Sequence, residues 1–252
     1  CALPISRGGM GEIYKARHPS LNRTIAIKVL SLYFKEDADF NKRFAREAEM
    51  MAQLKHPNII NIYDYGEQDG LPYIVMEYLT GYTLSHIIKE RGRFTLDESL
   101  PLLRDIASAL DFAHAQGIVH RDIKPSNVMI EAISVAAGSR IQRAVLMDFG
   151  IARFTSERTK LTITGDLLGT ADYISPEQIQ GMADLDGKAD QYSLAALVFQ
   201  MLTGKRPFER HNSWAMIRAH LDEPTPDPRD VAPVPEPAAR AIMKALSKKP
   251  EE

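Results

Sequence analysis

At 252 residues with 44% hydrophobic content, the chain can bury a large core and lies in the size range where one core tends to split into two. Its 31 basic and 33 acidic side chains nearly cancel, which speaks against nucleic acid or an anionic membrane as the main partner. One cysteine, Cys1, excludes an internal disulfide framework and suits a reducing, cytoplasmic setting. No run approaches about 18 apolar residues, so neither membrane contact nor a signal peptide is expected of this segment, and any anchor would lie outside it.

In chain order, Thr24 to Leu30 is β-branched and alternating, which predicts a strand. Phe40, Phe44, Met51 and Leu54 recur at helical spacing, with Pro57 as a stop beyond them. Leu71 to Tyr78 reads as another strand, entered from a Gly-Glu-Gln-Asp-Gly turn. From about residue 83 the pattern turns helical, with amphipathic runs from Leu100 to Gln116 and from Ala189 to Leu202. The stretch Pro224 to Pro237 is too proline-rich for a helix or a central strand. These elements predict an α+β chain: a small antiparallel β-rich lobe with one key helix over residues 1–79, and a larger α-helical lobe over 80–252. The seam is expected near Tyr78 to Gly81.

Three charged residues sit on apolar faces. Glu47 shares a helical arc with Phe44, Met51 and Leu54, whereas Glu49 faces the other way. Lys28 shares a strand face with Ala26 and Leu30. A carboxylate aimed at a core needs a cation, so Glu47 and Lys28 suggest a pair, either structural or functional. Asp190 lies on the arc of Leu194, Leu197 and Met201, and reads either as an inward functional carboxylate or as a helix N-cap.

The chemistry-bearing motifs are His120-Arg121-Asp122-Ile123-Lys124-Pro125-Ser126-Asn127, an H-R-D-x-x-x-x-N pattern, and Asp148-Phe149-Gly150 downstream. Upstream stand Ala26-Ile27-Lys28 and the loop Gly8-Gly9-Met10-Gly11. In this order, and with Gly-Gly-Met-Gly-Glu-Ile-Tyr-Lys-Ala-Arg-His and Ile-Ser-Pro-Glu-Gln, the chain resembles the catalytic domain of the bacterial eukaryotic-like serine/threonine protein kinases along nearly its whole length. The resemblance implies the bilobal protein-kinase fold, ATP-dependent phosphorylation of Ser and Thr hydroxyls on proteins, and Mg²⁺ as the cofactor with Mn²⁺ able to stand in. It also implies trans-autophosphorylation through a homodimer.

By this likeness Asp122 orients the substrate hydroxyl and takes its proton late, Lys124 reaches the transferring phosphate, and Asn127 and Asp148 offer hard oxygens to the metal. Lys28 would bind the α/β-phosphates and Glu47, on the mobile helix, would pair with it. Gly8, Gly9 and Gly11 would close over the phosphates. Met76 matches the gatekeeper, with the backbone of Glu77 and Leu79 on adenine, below Ile13 and Ala26 and above Met129; taken singly, each hydrophobe also reads as plain core. Met51, Ile62, His120 and Phe149 match a stacked column leading to Asp190, which the likeness makes the residue that holds the catalytic loop.

Arg121 is a cation that phosphate on the activation segment would partner, and Thr162 and Thr164 lie eight and six residues before Thr170, where similar kinases are autophosphorylated; they read otherwise as solvated loop threonines. Thr170 with Lys124 resembles the Ser/Thr rather than the Tyr branch. Ser6 stands at the first glycine position of the phosphate loop, the first strand is expected to be nearly absent, and both ends are expected to be cut short, leaving Glu177 without its usual arginine. Glu131 to Arg143 reads as an extended hairpin loop, a tolerated insertion or a docking element. Two readings compete with catalysis of protein phosphorylation: an inactive scaffold and a small-molecule phosphotransferase.

Overall fold

The computed structural model describes residues 2–8, 11–20, 22–31, 38–134, 140–149 and 171–252. These separate into two compact units, one of residues 2–80 and one of residues 81–149 with 171–252.

The first unit is a five-stranded antiparallel sheet with one helix. Its strands are β1 (Ala2–Gly8), β2 (Gly11–Arg17), β3 (Thr24–Leu30), β4 (Ile62–Gln68) and β5 (Leu71–Glu77), ordered β1-β2-β3-β5-β4. Along β5 burial alternates strictly, with Pro72, Ile74 and Met76 inward, as period-2 side chains on a half-covered sheet must. The β4–β5 turn is tighter than the five-residue segment read from sequence. Only Asp69 and Gly70 form it, both with positive φ, the two-residue geometry that matches strand twist, while Gly66 to Gln68 still pair in the sheet.

A second correction concerns β1. It was expected to be nearly absent, yet it is a seven-residue strand of which six residues pair with β2, Ala2–Pro4 against Tyr14–Ala16 and Ser6–Gly8 against Gly11–Ile13. The register shift between Pro4 and Ser6 is what a bulge at Ile5 produces: one extra residue lets a proline-containing edge strand keep its ladder on both sides. Helix α1 (Ala38–Gln53) packs on β4 and buries Phe44, Ala48 and Met51, and Leu54 just beyond it is 1% exposed.

The second unit holds β6 (Gly81–Thr83), β7 (Val128–Ser134) and β8 (Arg140–Leu146) in an antiparallel sheet of that order, and six helices. These are α2 (Leu84–Arg91), α3 (Leu96–His114), α4 (Pro176–Ile179), α5 (Gly187–Thr203), α6 (Ser213–Asp222) and α7 (Glu236–Ala245). Helix α3 starts at a full capping box, Thr95 with Glu98, and Leu102, Ile106, Ala109, Leu110 and Ala113 line its buried face. Helix α5 is apolar almost all round, as a central helix must be, and packs against α3 and α7.

Two further expectations change here. Residues 131–143 are not simply a loop, because Glu131–Ser134 and Arg140–Arg143 continue the β7–β8 ladder, and Glu131 is paired with Arg143. The proline-rich stretch is also interrupted by helix: Pro228–Asp230 is a 3₁₀ turn and Pro237 falls in the first turn of α7, where a missing N–H costs nothing.

Candidate active site

In the second unit the His120–Asn127 motif forms a loop around Asp122. Its start is fixed by Asp190, in the first turn of α5 and fully buried. The cap of that helix is Asp186, whose side chain accepts the Lys188 N–H, so the capping alternative for Asp190 falls. Asp190 Oδ2 instead accepts the His120 N–H and Oδ1 the Arg121 N–H, each at 2.7 Å. Asp190 Oδ2 also accepts from His114 Nε2 at 2.7 Å. Three donors therefore converge on one carboxylate in a dry site, which supplies the partners that a buried polar group needs.

His120 is buried and neutral. Its Nε2–H donates to the Met147 carbonyl at 3.0 Å, its Nδ1 accepts the Asp122 N–H at 3.3 Å, and desolvation pushes its pKa down. The ring stacks on Phe149 at 4.3 Å between centroids. These are the two members of the expected column in this unit; Met51 and Ile62 are both buried in the other.

Asp122 itself is 12% exposed at its side chain, and its Oδ2 lies 2.9 Å from Lys124 Nζ and 2.9 Å from Asn127 Nδ2. Asn127 Nδ2 donates also to the Asp122 carbonyl at 2.8 Å. Because both neighbours of this amide nitrogen are acceptors, its orientation is fixed and Oδ1 points the other way, as a hard oxygen donor. The Asn127 carbonyl accepts the Met147 N–H at 2.9 Å, which ties the catalytic loop to the strand leading into Asp148. Asp148 has φ +52° and Arg121 φ +64°, both rare for residues with a Cβ and both inside the motifs singled out in the sequence.

In the first unit, Lys28 sits opposite Ile13 and Ile74, on the face of the buried Ala26 and Leu30. Glu47 is half-buried on α1 between the buried Phe44 and Met51. Met76 is 7% exposed and pairs with Ala26 on one side and Ile62 on the other. The Glu77 N–H donates to the Asn61 carbonyl at 2.9 Å, and Glu77 Oε2 accepts from Asn61 Nδ2 at 2.7 Å. Leu79 is buried and Met129, in β7 of the second unit, pairs with Thr83. Gly11 has φ +146°, and a Cβ there would meet the Val29 carbonyl oxygen at 2.1 Å, so strand packing alone already demands glycine. Gly8 ends β1. Gly9, Thr162, Thr164 and Thr170 lie outside the described residues, as does Gly150.

The residues that sequence reading missed are His114, Gln178 and a buried cluster below them. Gln178 Nε2 donates to the Arg121 carbonyl at 2.8 Å. His220, fully buried on α6, accepts from Tyr192 Oη at Nδ1 (2.9 Å) and donates from Nε2 to the Asp172 carbonyl (3.2 Å). Burial pushes its pKa down to about 4 and that of Tyr192 above its ordinary range. Asp172 pairs with Arg206, and Lys248 donates to the Ala219 and His220 carbonyls at the end of α6. The only signal for Gln178 was its place three residues after Ser175, a capping-box spacing that the helix indeed uses.

The protein kinase domain family model matches residues 4–252. The chain belongs to the protein kinase domain family. Among curated relatives, it is 39% identical to serine/threonine-protein kinase PknF of Mycobacterium tuberculosis over 98% of this chain and 52% of that protein. It is 38% identical to serine/threonine-protein kinase PknB of Mycobacterium leprae over 97% of this chain and 39% of that one. A solved structure, a cysteine-to-alanine variant of the Mycobacterium tuberculosis PknI kinase domain, superposes with a TM-score of 0.75 at 32% identity, covering 98% of this chain and 86% of that one. The chain thus has the protein-kinase fold on the serine/threonine branch, and it spans about half or less of the length of these curated relatives. No helix among the described residues is long and apolar enough to cross a membrane.

Proposed function

We propose that this kinase domain transfers the γ-phosphoryl group of ATP to Ser and Thr hydroxyls of protein substrates. The observation that carries the reading is the held carboxylate: Asp122 Oδ2 is met by Lys124 and Asn127 at 2.9 Å each, on a loop anchored by Asp190. A carboxylate fixed in this way can accept a hydrogen bond from a substrate hydroxyl, align it with the phosphorus and take the proton as the bond forms. Lys124 places a cation beside it for the charge of the transferring group.

The donor set fits a divalent metal, since Asn127 Oδ1 and the Asp148 carboxylate are the hard oxygens that Mg²⁺ prefers, with Mn²⁺ as a substitute. Bound there, the metal would screen the phosphate charges. On the nucleotide side, Lys28 would contact the phosphates with Glu47 as its counter-charge, and Gly8, Gly9 and Gly11 would cover them. With its N–H given to Asn61, Glu77 would offer adenine its carbonyl, Leu79 its N–H, and Ile13, Ala26, Met76 and Met129 would enclose the ring. Lys28, Asp122 and Asp148 are all present, which favours catalysis over an inactive scaffold, and Thr170 with the Ser-Pro-Glu segment favours a peptide over a small-molecule acceptor.

Phosphate on Thr162 and Thr164 would be partnered by Arg121, added in trans within a homodimer, with the ATP supply of the cytoplasm. The test is transfer of radiolabel from ATP to a generic protein, followed by phosphoamino-acid analysis. Label on Ser and Thr that disappears in both Asp122→Asn and Lys28→Met supports the reading. Label that survives Asp122→Asn, or no label with any acceptor, overturns it.

A further inference from the structure

Arg121 is the residue immediately before Asp122, and its backbone is held in an uncommon conformation from two sides. Its φ of +64° puts a bulky L-residue in the left-handed region, a strained conformation that persists only where the surroundings over-determine it. Its N–H is taken by Asp190 Oδ1 at 2.7 Å. Its carbonyl is taken by Gln178 Nε2 at 2.8 Å, from a residue 57 positions later in the chain.

The Gln178 amide is used at both ends. Its Oε1 accepts the Ser175 N–H at 3.2 Å, and the Gln178 N–H donates back to Ser175 Oγ at 3.4 Å, a closed capping box at the start of α4. Ser175 and Pro176 are buried, and Tyr173 just before them donates to Gln200 of α5, so the foot of α4 is fixed to the rest of the unit. One planar amide therefore bridges two segments: the end of the stretch that enters α4 and the peptide that leads into Asp122. The two demands on the amide are opposite in kind, an acceptor for the Ser175 N–H and a donor for the Arg121 carbonyl, and a carboxamide carries both.

We propose that Gln178 is a positioning residue for Asp122, tying the start of α4 to the catalytic carboxylate through the Arg121 carbonyl. The inference rests on the phosphoryl-transfer reading above. The Arg121 peptide is held by Asp190 at its N–H and by Gln178 at its carbonyl, and this presents Asp122 to a hydroxyl; without Gln178 the carbonyl loses that donor.

Two substitutions separate this role from simple helix capping. Gln178→Glu keeps an oxygen for the Ser175 N–H but places a carboxylate against the Arg121 carbonyl. Gln178→Met keeps length and removes both bonds. Steady-state kinetics on the kinase as its organism encodes it, with a protein substrate, should show kcat reduced about tenfold in Gln178→Glu at pH 8, roughly the rate equivalent of one lost hydrogen bond, with KM for ATP within about twofold of wild type. The loss should be of similar size in Gln178→Glu, which keeps an acceptor for the Ser175 N–H, and in Gln178→Met, which removes that bond too. Melting temperatures and nucleotide affinity identify any variant that fails to fold. Unchanged kcat in both variants, a loss confined to KM for ATP, or a kcat loss in Gln178→Met but not in Gln178→Glu overturns the proposal. An inactive wild type overturns the functional reading, and the inference with it.

Discussion

Asp190 and His120 meet through a hydrogen bond of 2.7 Å from the His120 N–H to a carboxylate with no solvent exposure. The loop that presents Asp122 is thereby anchored to a neighbouring helix rather than to its own. Replacing Asp190 with Ala would leave the His120 and Arg121 amides and the His114 ring without their acceptor, at about 1–3 kcal/mol for each buried group. Asp190→Ala is expected to lower the denaturation free energy by about 3–5 kcal/mol and kcat by at least about a hundredfold. Chemical denaturation and single-turnover rates check this. A variant with wild-type stability would show that the loop holds its shape without α5.

His114 makes part of that anchor depend on pH. The hydrogen bond that His114 donates to Asp190 raises its pKa above the ordinary 6.5 against partial burial, with Asp190, Asp111 and Asp186 adding favourable charge. A folded pKa above the unfolded one means that the protonated ring binds its partner better in the native state. Its contribution is fully present below about pH 6.5 and is lost as pH rises through the raised folded value. The stability difference between wild type and His114→Leu should therefore be largest at mildly acidic pH and shrink on the alkaline side. Denaturant midpoints measured across pH 5.5 to 9 decide it, and a difference that grows with pH contradicts it.

His220 has the opposite sign. It is buried, it must be neutral to accept from Tyr192, and its pKa is pushed down to about 4 by desolvation and by Lys248. The native state therefore resists a proton that the unfolded chain takes readily. Stability is fully present above about pH 6.5 and is lost as pH falls towards about 4, by up to about 3 kcal/mol. His220→Gln keeps a donor and an acceptor but cannot titrate, so it should flatten the acid limb of the stability profile. An acid limb of equal steepness in wild type and variant would place the titration elsewhere.

The order and type of the main elements were legible because periodicity is local: the alternation of Thr24–Leu30 and Leu71–Glu77 and the helical arcs around Phe44 and Leu197 are written in neighbouring residues. Asp190 was legible as inward-facing for the same reason, but its partners come from a loop some 70 positions earlier, and only the motif resemblance named that loop. Gln178 and His114 were not legible. A glutamine at a capping position and a histidine at the end of a helix are ordinary in sequence, and their second contacts arise from tertiary packing. The strand β1 was misjudged because only Cys1 to Ile5 precede Ser6, whereas the strand runs on through Ser6, Arg7 and Gly8 after a bulge that no local pattern announces. The hairpin ladder past Glu131 was hidden because its ion pair with Arg143 spans twelve positions.

Gly11 offers a separate test of how much of the phosphate loop is sheet architecture. Its φ of +146° and the 2.1 Å approach of the Val29 carbonyl oxygen to the place of a Cβ leave no room for alanine between β2 and β3. The obstacle is backbone, not a flexible side chain, so the strands must separate locally if Gly11→Ala is to fold. The substitution is expected to cost about 2–4 kcal/mol, at the upper end of single-site effects because strain and clash add. The loss should appear in the absence of nucleotide, as a lowered melting temperature of the apo protein. An apo protein with wild-type melting temperature but weakened ATP binding would show instead that Gly11 serves the phosphates alone.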